Sequence, residues 1–406
     1  MALSLEFSID LGAPQVRRHN EEVIAVLAGY QSDRPVRVPL LLWEWFGQHG
    51  FYTEEKGINY REYYTNPDLM AEVQLESARR KRELAICDVV LGELPAAWEV
   101  TVDFWPAVAA GWLGCELIYR QKSVIAYQGL HLSREECEAM VMPDPQTGGI
   151  LKTVQEFWTY LKETCENRVQ FLSRPVGRVK PGVGTNGVFS LALDLRGPDL
   201  MLDMYEDPDF AHRFLNKVAD WCDILERTWE RISPPCGASF ELERTGHAPD
   251  WQTKTPFAVM DHGIDMLSPQ AYEEYLVPVV QRINRQRGTV APTVLHHCGR
   301  GSHLFPVVQK QFGLTHLDAL TYPKVDIARM RRELGPEIWI TAILDDGIIQ
   351  NGPAESIRRA VKELMQSGAK GQGRFALIVG DMLQGTPLEH RLAYYEAVRE
   401  FGGYPR

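Results

Sequence analysis

The sequence lacks the long apolar runs and the dense basic clusters that mark two large classes of protein. No apolar stretch approaches the ~20 residues that a helix needs to span a membrane. The formal net charge is −11, with 54 acidic against 43 basic residues, and Lys and Arg form no dense cluster. A nucleic-acid-binding surface requires a basic footprint, so neither nucleic acid nor a membrane is expected as a partner.

Paired cysteines are also missing, because the seven cysteines are irregularly spaced and form no Cys-x-x-Cys motif. This usage is typical of a reduced protein whose thiols pack in the core, and it predicts a cytoplasmic location. The first residues, MALSLEFSIDLGAP, lack a basic head followed by an apolar core, so no signal peptide is expected. The chain also contains no tandem repeat and no low-complexity segment.

Strand and helix patterns alternate with short connections in the C-terminal third. Strands are predicted over 314–320, 337–344 and 374–379, with helices between them. The sequence Thr386-Pro387-Leu388-Glu389 predicts a capping box at the start of the last helix. This alternation is typical of a parallel sheet. At 406 residues, the chain is long enough for one large α/β barrel or two ordinary domains.

Upstream, the patterns are less regular. Asn66 predicts a helix start through a side-chain cap, with proline in the first turn. Two apolar stretches, 38–46 and 84–91, have the pattern of buried strands, and the second has Asp88 inside it. Residues 96–180 contain a Trp-rich stretch and a loop rich in proline and glycine. Such a long irregular segment is often an insertion near a functional site.

Polar side chains stand where several apolar runs end. His296 and Cys298 close one strand, and they share a face because side chains alternate along a strand. A nitrogen and a sulfur ligand side by side are half of a typical zinc site. Asp345 and Asp381 follow later strands, and an Asp-His pair follows an earlier one, at 261–262. In a barrel these positions line the active site.

We therefore predict a metal bound by His296, Cys298 and Asp381, with Asp261 or His262 in reserve. Three protein ligands leave one position open for a substrate atom, as catalytic zinc requires. The alternative is that the histidine and the thiol are packed and hydrogen-bonded at the rim of a barrel.

Two further candidates lie outside this set. Glu243 shares a strand face with Glu241, and the pair would supply a ligand or an acid/base group. Alternatively, the two glutamates line a solvated rim and pair with basic residues. Tyr127 would face the cavity, although an aromatic residue there is also typical of a core.

Several motifs make the chain resemble the uroporphyrinogen decarboxylase superfamily, which includes the corrinoid-linked methyltransferases. The motifs are LRGPDLMLDMYEDPDF, DHGIDMLSPQAYEEYLVP, LHHCGRGSHLF, FGLTHLDAL, VDIARMRRELGPEIWITAILDD and GDMLQGTPLEHRLAYYEAV. The resemblance implies a single (β/α)8 TIM barrel, often dimeric. It would cover residues 37–406 with an insertion around 96–180, after an N-terminal extension at 1–36.

One departure from the family pattern concerns substrate binding. The decarboxylases have a signature resembling R-x-P-x-W-x-M-R-Q-A-G-R-Y, whose arginines hold the carboxylates of the substrate. Here Glu44 and Gln48 stand where those arginines would be. A polyanionic tetrapyrrole needs fixed cations, and a carboxylate in their place repels it. Asp88 matches the family's catalytic aspartate, which either branch can use to orient a substrate.

A second departure concerns the metal. The methyltransferase branch has a His-x-Cys zinc motif and a distant cysteine that follows a glycine. His296-His297-Cys298 fits the first part, but Gly380-Asp381 stands where Gly-Cys would be. A carboxylate ligand makes the site harder than a thiolate does. Such a site suits an oxygen substrate, such as a methoxy compound, at least as well as a thiol.

The resemblance thus predicts a corrinoid-dependent methyltransferase with a zinc ion. It would move a methyl group between a small-molecule donor or thiol acceptor and a cobalamin carried on a partner protein. The predicted catalytic residues are Asp88, Asp261 and Asp345, and the predicted substrate-binding residues are Glu44, Tyr127, His262 and Glu243. The alternatives are a decarboxylase of a smaller carboxylated substrate and a corrinoid-binding protein without catalytic activity.

Overall fold

The computed structural model of the protein describes residues 6–32, 34–42, 56–105, 107–122, 124–234, 261–288, 293–371, 373–379 and 385–404. In these ranges the chain forms ten strands: β1 (Leu40–Leu42), β2 (Trp98–Thr101), β3 (Glu116–Ile118), β4 (Ala126–Gln128), β5 (Gln170–Phe171), β6 (Arg174–Lys180), β7 (Thr293–His296), β8 (Leu314–Tyr322), β9 (Trp339–Leu344) and β10 (Phe375–Val379). Five of them form a parallel sheet in the order β1-β10-β9-β8-β7. The predicted α/β fold around a parallel sheet is therefore confirmed.

The described ranges also contain sixteen α-helices. They are α1 (Pro14–Gln31), α2 (Tyr60–Tyr63), α3 (Pro67–Lys81), α4 (Val108–Trp112), α5 (Arg134–Ala139), α6 (Leu151–Thr164), α7 (Val188–Arg196), α8 (Asp199–Glu206), α9 (Pro208–Ile232), α10 (Pro269–Ala271), α11 (Val277–Arg287), α12 (Phe305–Phe312), α13 (Ile327–Leu334), α14 (Asp346–Asn351), α15 (Ala354–Gln366) and α16 (Leu388–Phe401). A π-helical stretch joins α10 to α11. None of the helices in the described ranges is both long and apolar enough to cross a membrane.

The parallel sheet is buried on both faces. Every residue of β10 is buried, as are most residues of β8 and β9. Such strands read as continuous apolar runs, because helices cover both sides of a parallel sheet. The C-terminal strands can therefore be predicted from the apolar pattern of the sequence. Their register pairs His296 with Asp318 across β7 and β8, and Tyr322 with Leu344 across β8 and β9.

Two smaller sheets accompany the five-stranded sheet. In one, β2 pairs in parallel with β6, which pairs antiparallel with β5. In the other, β3 and β4 pair antiparallel, within the region predicted as an insertion. The described residues thus contain five strands in one parallel sheet, and the closed ring of eight strands stays a prediction.

Several helix boundaries follow from local signals in the sequence. Asn66 caps α3 by accepting a hydrogen bond from the Asp68 N–H at 3.0 Å, as predicted. Gly313 ends α12 in the left-handed conformation, with φ 67°. The capping box predicted at Thr386 is wrong. Pro387 takes the cap position of α16, and no side chain caps its first turn.

The strand predicted over 84–91 is also wrong, because this segment is irregular. Most of its apolar side chains are buried, as those of a strand would be. The Asp88 N–H donates to the Leu40 carbonyl of β1 at 2.8 Å, but the Leu40 N–H donates to the Asp88 carboxylate at 2.7 Å. The Asp88 carboxylate therefore accepts the hydrogen bond that a backbone carbonyl would accept in a β-ladder. The apolar pattern indicated burial correctly and backbone conformation incorrectly.

Candidate active site

His262, His296 and Cys298 lie together at the carboxyl end of β7, and we call these three residues the His–Cys cluster. His296 is the last residue of β7, and Cys298 follows it in the turn. The rings of His262 and His296 meet edge to face, with centroids 5.9 Å apart. Both imidazoles form side-chain hydrogen bonds with the Cys298 thiol. The structure thus joins His262, a reserve ligand in the sequence analysis, to the two main candidates.

The two imidazoles change the chemistry of Cys298. Their hydrogen bonds lower the pKa of the thiol to about 6, although the surrounding protein atoms keep part of the water away from the sulfur, which opposes the shift. At neutral pH Cys298 is therefore a thiolate, which is the form that binds metals and acts as a nucleophile. Cys298 is also exposed, whereas the other described thiols are buried at positions 87, 115, 137, 165 and 222.

Asp318 orients His296 from the neighbouring strand β8. Its Oδ2 lies 2.8 Å from His296 Nδ1, and the Thr341 hydroxyl donates to its Oδ1. Burial alone lowers the pKa of His296, but the bonds to Asp318 and Cys298 raise it to about 9. Histidines that bind metals usually have such a carboxylate partner on the second nitrogen. Asp318 is not among the residues predicted from the sequence, although a carboxylate inside a buried strand is a usable signal.

His297 fixes the turn that carries Cys298. Its ring is 0% exposed, and its Nε2 accepts a hydrogen bond from the Gly301 N–H at 3.0 Å. The ring is neutral, because burial lowers the pKa of His297 to about 4. A Cβ on Gly299 or Gly301 would lie 2.8 or 2.6 Å from Nε2. This close approach explains why glycine stands at both positions.

Two aspartates follow β9, and the structure gives them different surroundings. Asp345 accepts the Gly347 N–H at 3.0 Å as the cap of α14, and its other oxygen pairs with Lys324 at 2.8 Å. Asp346 has a buried Oδ1 that accepts no hydrogen bond from the described residues. Burial raises the pKa of Asp346 to about 7, with smaller contributions from Asp345 and Cys298. Both oxygens of Asp345 thus have partners, and its predicted catalytic role stays a prediction.

Asp261 is a structural cap. Its carboxylate accepts the backbone N–H groups of Phe189 at 2.6 Å, Ser190 at 3.1 Å and Gly263 at 3.1 Å. The Ser190 hydroxyl is a further donor at 2.6 Å. These contacts occupy both oxygens at the start of α7. These contacts explain the structural role of Asp261, and its predicted roles in catalysis and as a reserve ligand stay predictions.

Asp88 lies in a buried ion pair. Arg37 donates to its two oxygens at 2.6 and 2.8 Å, and the Tyr395 hydroxyl donates at 2.9 Å. The Asp88 side chain is 0% exposed. These bonds join the segment before β1 to α16. The catalytic role that the resemblance predicted for Asp88 stays a prediction.

The remaining predicted residues are less informative. The Tyr127 hydroxyl donates to Asp194 at 2.9 Å in a partly buried pair, so its substrate-binding role stays a prediction. Glu44, Glu243 and Asp381 lie outside the described residues, and their roles also stay predictions. Among the residues that the structure describes, no three His, Cys, Asp or Glu side chains form a group that could hold a metal ion. The predicted set with Asp381 is thus not tested by this geometry.

Comparison with known proteins assigns the family. The family model described as "Uroporphyrinogen decarboxylase (URO-D)" matches residues 18–225 and 257–401, well over half of the chain. The chain therefore belongs to the uroporphyrinogen decarboxylase family, as its motifs indicated.

Individual relatives are distant. The uroporphyrinogen decarboxylase of Crocosphaera subtropica is 23% identical over 199 residues, which are 48% of this chain and 49% of the relative. A uroporphyrinogen decarboxylase of Coxiella burnetii is 27% identical over 203 residues, 49% of each chain. The chain thus spans about half the length of these curated relatives. A methyltransferase from Methanosarcina mazei has a similar fold, with a TM-score of 0.55 and 18% identity over 93% of this chain and 98% of that one.

Proposed function

We propose that this protein is a methyltransferase that moves a methyl group between a small-molecule methoxy donor and a corrinoid on a partner protein. The observation that supports this most is the His–Cys cluster, an exposed thiolate held between two imidazoles at the carboxyl end of a parallel strand. Active sites of α/β barrels occupy this position. We further propose that the five-stranded sheet is part of a closed (β/α)8 barrel, a fold in keeping with the structural similarity to a methyltransferase.

The donors of the cluster fit a zinc ion, which we propose is held by His296, Cys298 and Asp381. The bond to Asp318 occupies His296 Nδ1, which leaves Nε2 as the ligand atom. Cys298 offers the thiolate that zinc prefers. His262, the reserve ligand, forms no group that could hold a metal with His296 and Cys298 among the described residues, so the proposed set is the one with Asp381. When bound, the zinc ion would supply Lewis-acid activation of the donor oxygen.

The residues around the cluster hold it in place before a ligand binds. Asp318 and Thr341 fix the ring of His296, while His297 fixes the turn behind Cys298. The Thr321 hydroxyl donates to the Cys298 carbonyl at 3.0 Å, so the backbone of Cys298 is held in place as well. Such preorganisation is what a catalytic or metal site requires.

Metal analysis of the purified protein tests the proposal. We expect about one zinc per chain in the wild type and loss of this zinc in His296→Ala, because a three-ligand site loses a ligand. His131→Asn is the matched control, since His131 is exposed and has φ 53°, a conformation that asparagine tolerates. It should keep its zinc. Wild-type protein that binds no zinc after expression with added zinc would contradict the metal proposal.

A second candidate function is the decarboxylation of a small carboxylated substrate, which the activity of the curated relatives favours. It predicts release of CO2 without a metal. Incubation with cob(I)alamin and methoxy compounds separates the two functions, because only methyl transfer forms methylcobalamin. Tight binding of cobalamin without turnover would instead indicate a corrinoid-binding protein.

A further inference from the structure

Asp346 has a buried carboxyl oxygen for which the described residues provide no donor. The residue begins α14 directly after β9, at the same edge of the sheet as the His–Cys cluster. Its carboxyl group also interacts electrostatically with Cys298. A buried acceptor without a donor is destabilising, and native proteins contain few of them. The Oδ1 atom is therefore a place where a bound molecule can provide the missing partner.

The adjacent carboxylate provides an internal comparison. Asp345 has an N–H donor on one oxygen and Lys324 on the other, so its function in the structure is already explained. Asp346 has neither contact, although it lies in the same turn. Helix capping and charge pairing thus explain why Asp345 is an aspartate, but neither explains Asp346.

The groups around Asp346 favour its neutral form. Asp345 and Cys298 are its negative neighbours, Lys324 is its positive neighbour, and Tyr394 approaches from α16. Burial is the largest effect and raises the pKa of the carboxyl to about 7; Asp345 and Cys298 add to this shift, and Lys324 opposes it. A group with a pKa near the working pH can both give and accept a proton.

We infer that Asp346 donates a proton to the leaving oxygen of the methyl donor, an inference that rests on the proposed function. The C–O bond of the donor breaks, and its electron pair stays on the oxygen. A cob(I)-type corrinoid supplies the electron pair of the new carbon–cobalt bond. The carboxyl proton of Asp346 moves to the oxygen, so an ether donor releases a neutral alcohol or phenol and methanol releases water, while Asp346 remains as a carboxylate.

This role also defines the class of substrate. In methanol or an electron-rich methyl aryl ether, the leaving group is the conjugate base of a weak acid. Such a donor needs the proton in the transition state. A donor with a strongly acidic leaving group does not. The inference therefore assigns unactivated methoxy compounds to this site rather than activated methyl esters or methyl halides.

Two methyl aryl ethers test the inference with added cob(I)alamin and the zinc-loaded protein. The absorbance of methylcobalamin reports the rate. With para-methoxyphenol, a poor leaving group, Asp346→Asn should be about 100-fold slower than the wild type, within the usual range for general acid catalysis. With para-cyanoanisole, the loss should be less than about 5-fold, because the leaving phenolate is already stable. Glu355→Gln removes an exposed carboxylate from α15 and should leave both rates unchanged.

The pH dependence is a second readout. The acid must be protonated to act, so the wild-type rate with para-methoxyphenol should fall as the pH rises through about 7. This decrease should be absent in Asp346→Asn. Asp346→Glu keeps an acid at the site and should recover part of the rate, and it carries the comparison of donors if Asp346→Asn does not fold.

The outcomes separate this inference from the function on which it rests. An equal loss with both ethers, or no loss, would overturn the acid role of Asp346 while leaving methyl transfer in place. If the wild type forms no methylcobalamin from either ether, or from methanol, the proposed function fails and the inference fails with it.

Discussion

Cys298→Ala is expected to slow methyl transfer to cob(I)alamin at least 100-fold. Removing a residue that only hydrogen-bonds to a metal ligand already costs up to about 100-fold in activity. Cys298→Ala removes the thiolate that is itself a ligand of the proposed metal site, so its effect should be at least as large. Methylcobalamin formation measures the loss, and circular dichroism shows whether the fold is retained.

The control for this prediction is His131→Asn, which changes an exposed residue and should keep the wild-type rate. Cys298→Ser is an informative intermediate, because an oxygen ligand can replace sulfur at a cost in affinity. A Cys298→Ala protein with more than about half the wild-type rate would place the chemistry outside the His–Cys cluster.

Asp88→Ala should destabilise the protein by about 3–5 kcal/mol, because it leaves Arg37 buried without its main partner. The guanidinium and the carboxylate side chains are 8% and 0% exposed, so water cannot replace the lost contacts. Urea denaturation measures the change in the free energy of unfolding. Arg37→Met combined with Asp88→Leu should recover much of the loss, since it removes both charges.

A surface ion pair is the matched control. Arg358 and Glu400 are 34% and 49% exposed, and Arg358→Ala should cost less than about 1 kcal/mol. If Asp88→Ala is no less stable than this control, the ion pair does not organise the structure. The catalytic role predicted for Asp88 stays a prediction in either case.

The sequence was sufficient to predict the parts of the fold that depend on periodicity. The C-terminal strands are buried on both faces and therefore appear as apolar runs, and Asn66 and Gly313 mark helix ends through local chemistry. The segment 84–91 shows the limit of this signal. Its apolar residues are buried in an irregular conformation, because the Asp88 side chain takes a backbone N–H that a ladder would use.

The candidate site was predictable only in part. His296 and Cys298 were identified because their spacing places them on one face of a strand, and the structure shows that His262 joins them. Asp318 was missed because its position beside His296 depends on the register between β7 and β8, which includes an irregularity.

Carboxylates were the hardest residues to assign. Asp261 and Asp345 stand at the positions where catalytic groups are expected, yet both are caps of helices. Asp346 is not among the site residues predicted from the sequence, although its Oδ1 has no donor among the described residues. The sequence shows which carboxylates follow the strands, whereas only three-dimensional contacts show which oxygen atoms already have partners.

The pH dependence of Cys298 alkylation tests the central claim most directly, because it needs no substrate. Metal-free protein is treated with iodoacetamide, and mass spectrometry follows the peptide that contains Cys298. In the wild type the rate should rise through a pKa of about 6 and then level off, and His262→Ala and His296→Ala should each move this midpoint towards the ordinary value of 9.0. A wild-type midpoint near 9.0, or one that neither histidine variant changes, would contradict the His–Cys cluster as the reactive centre of this protein.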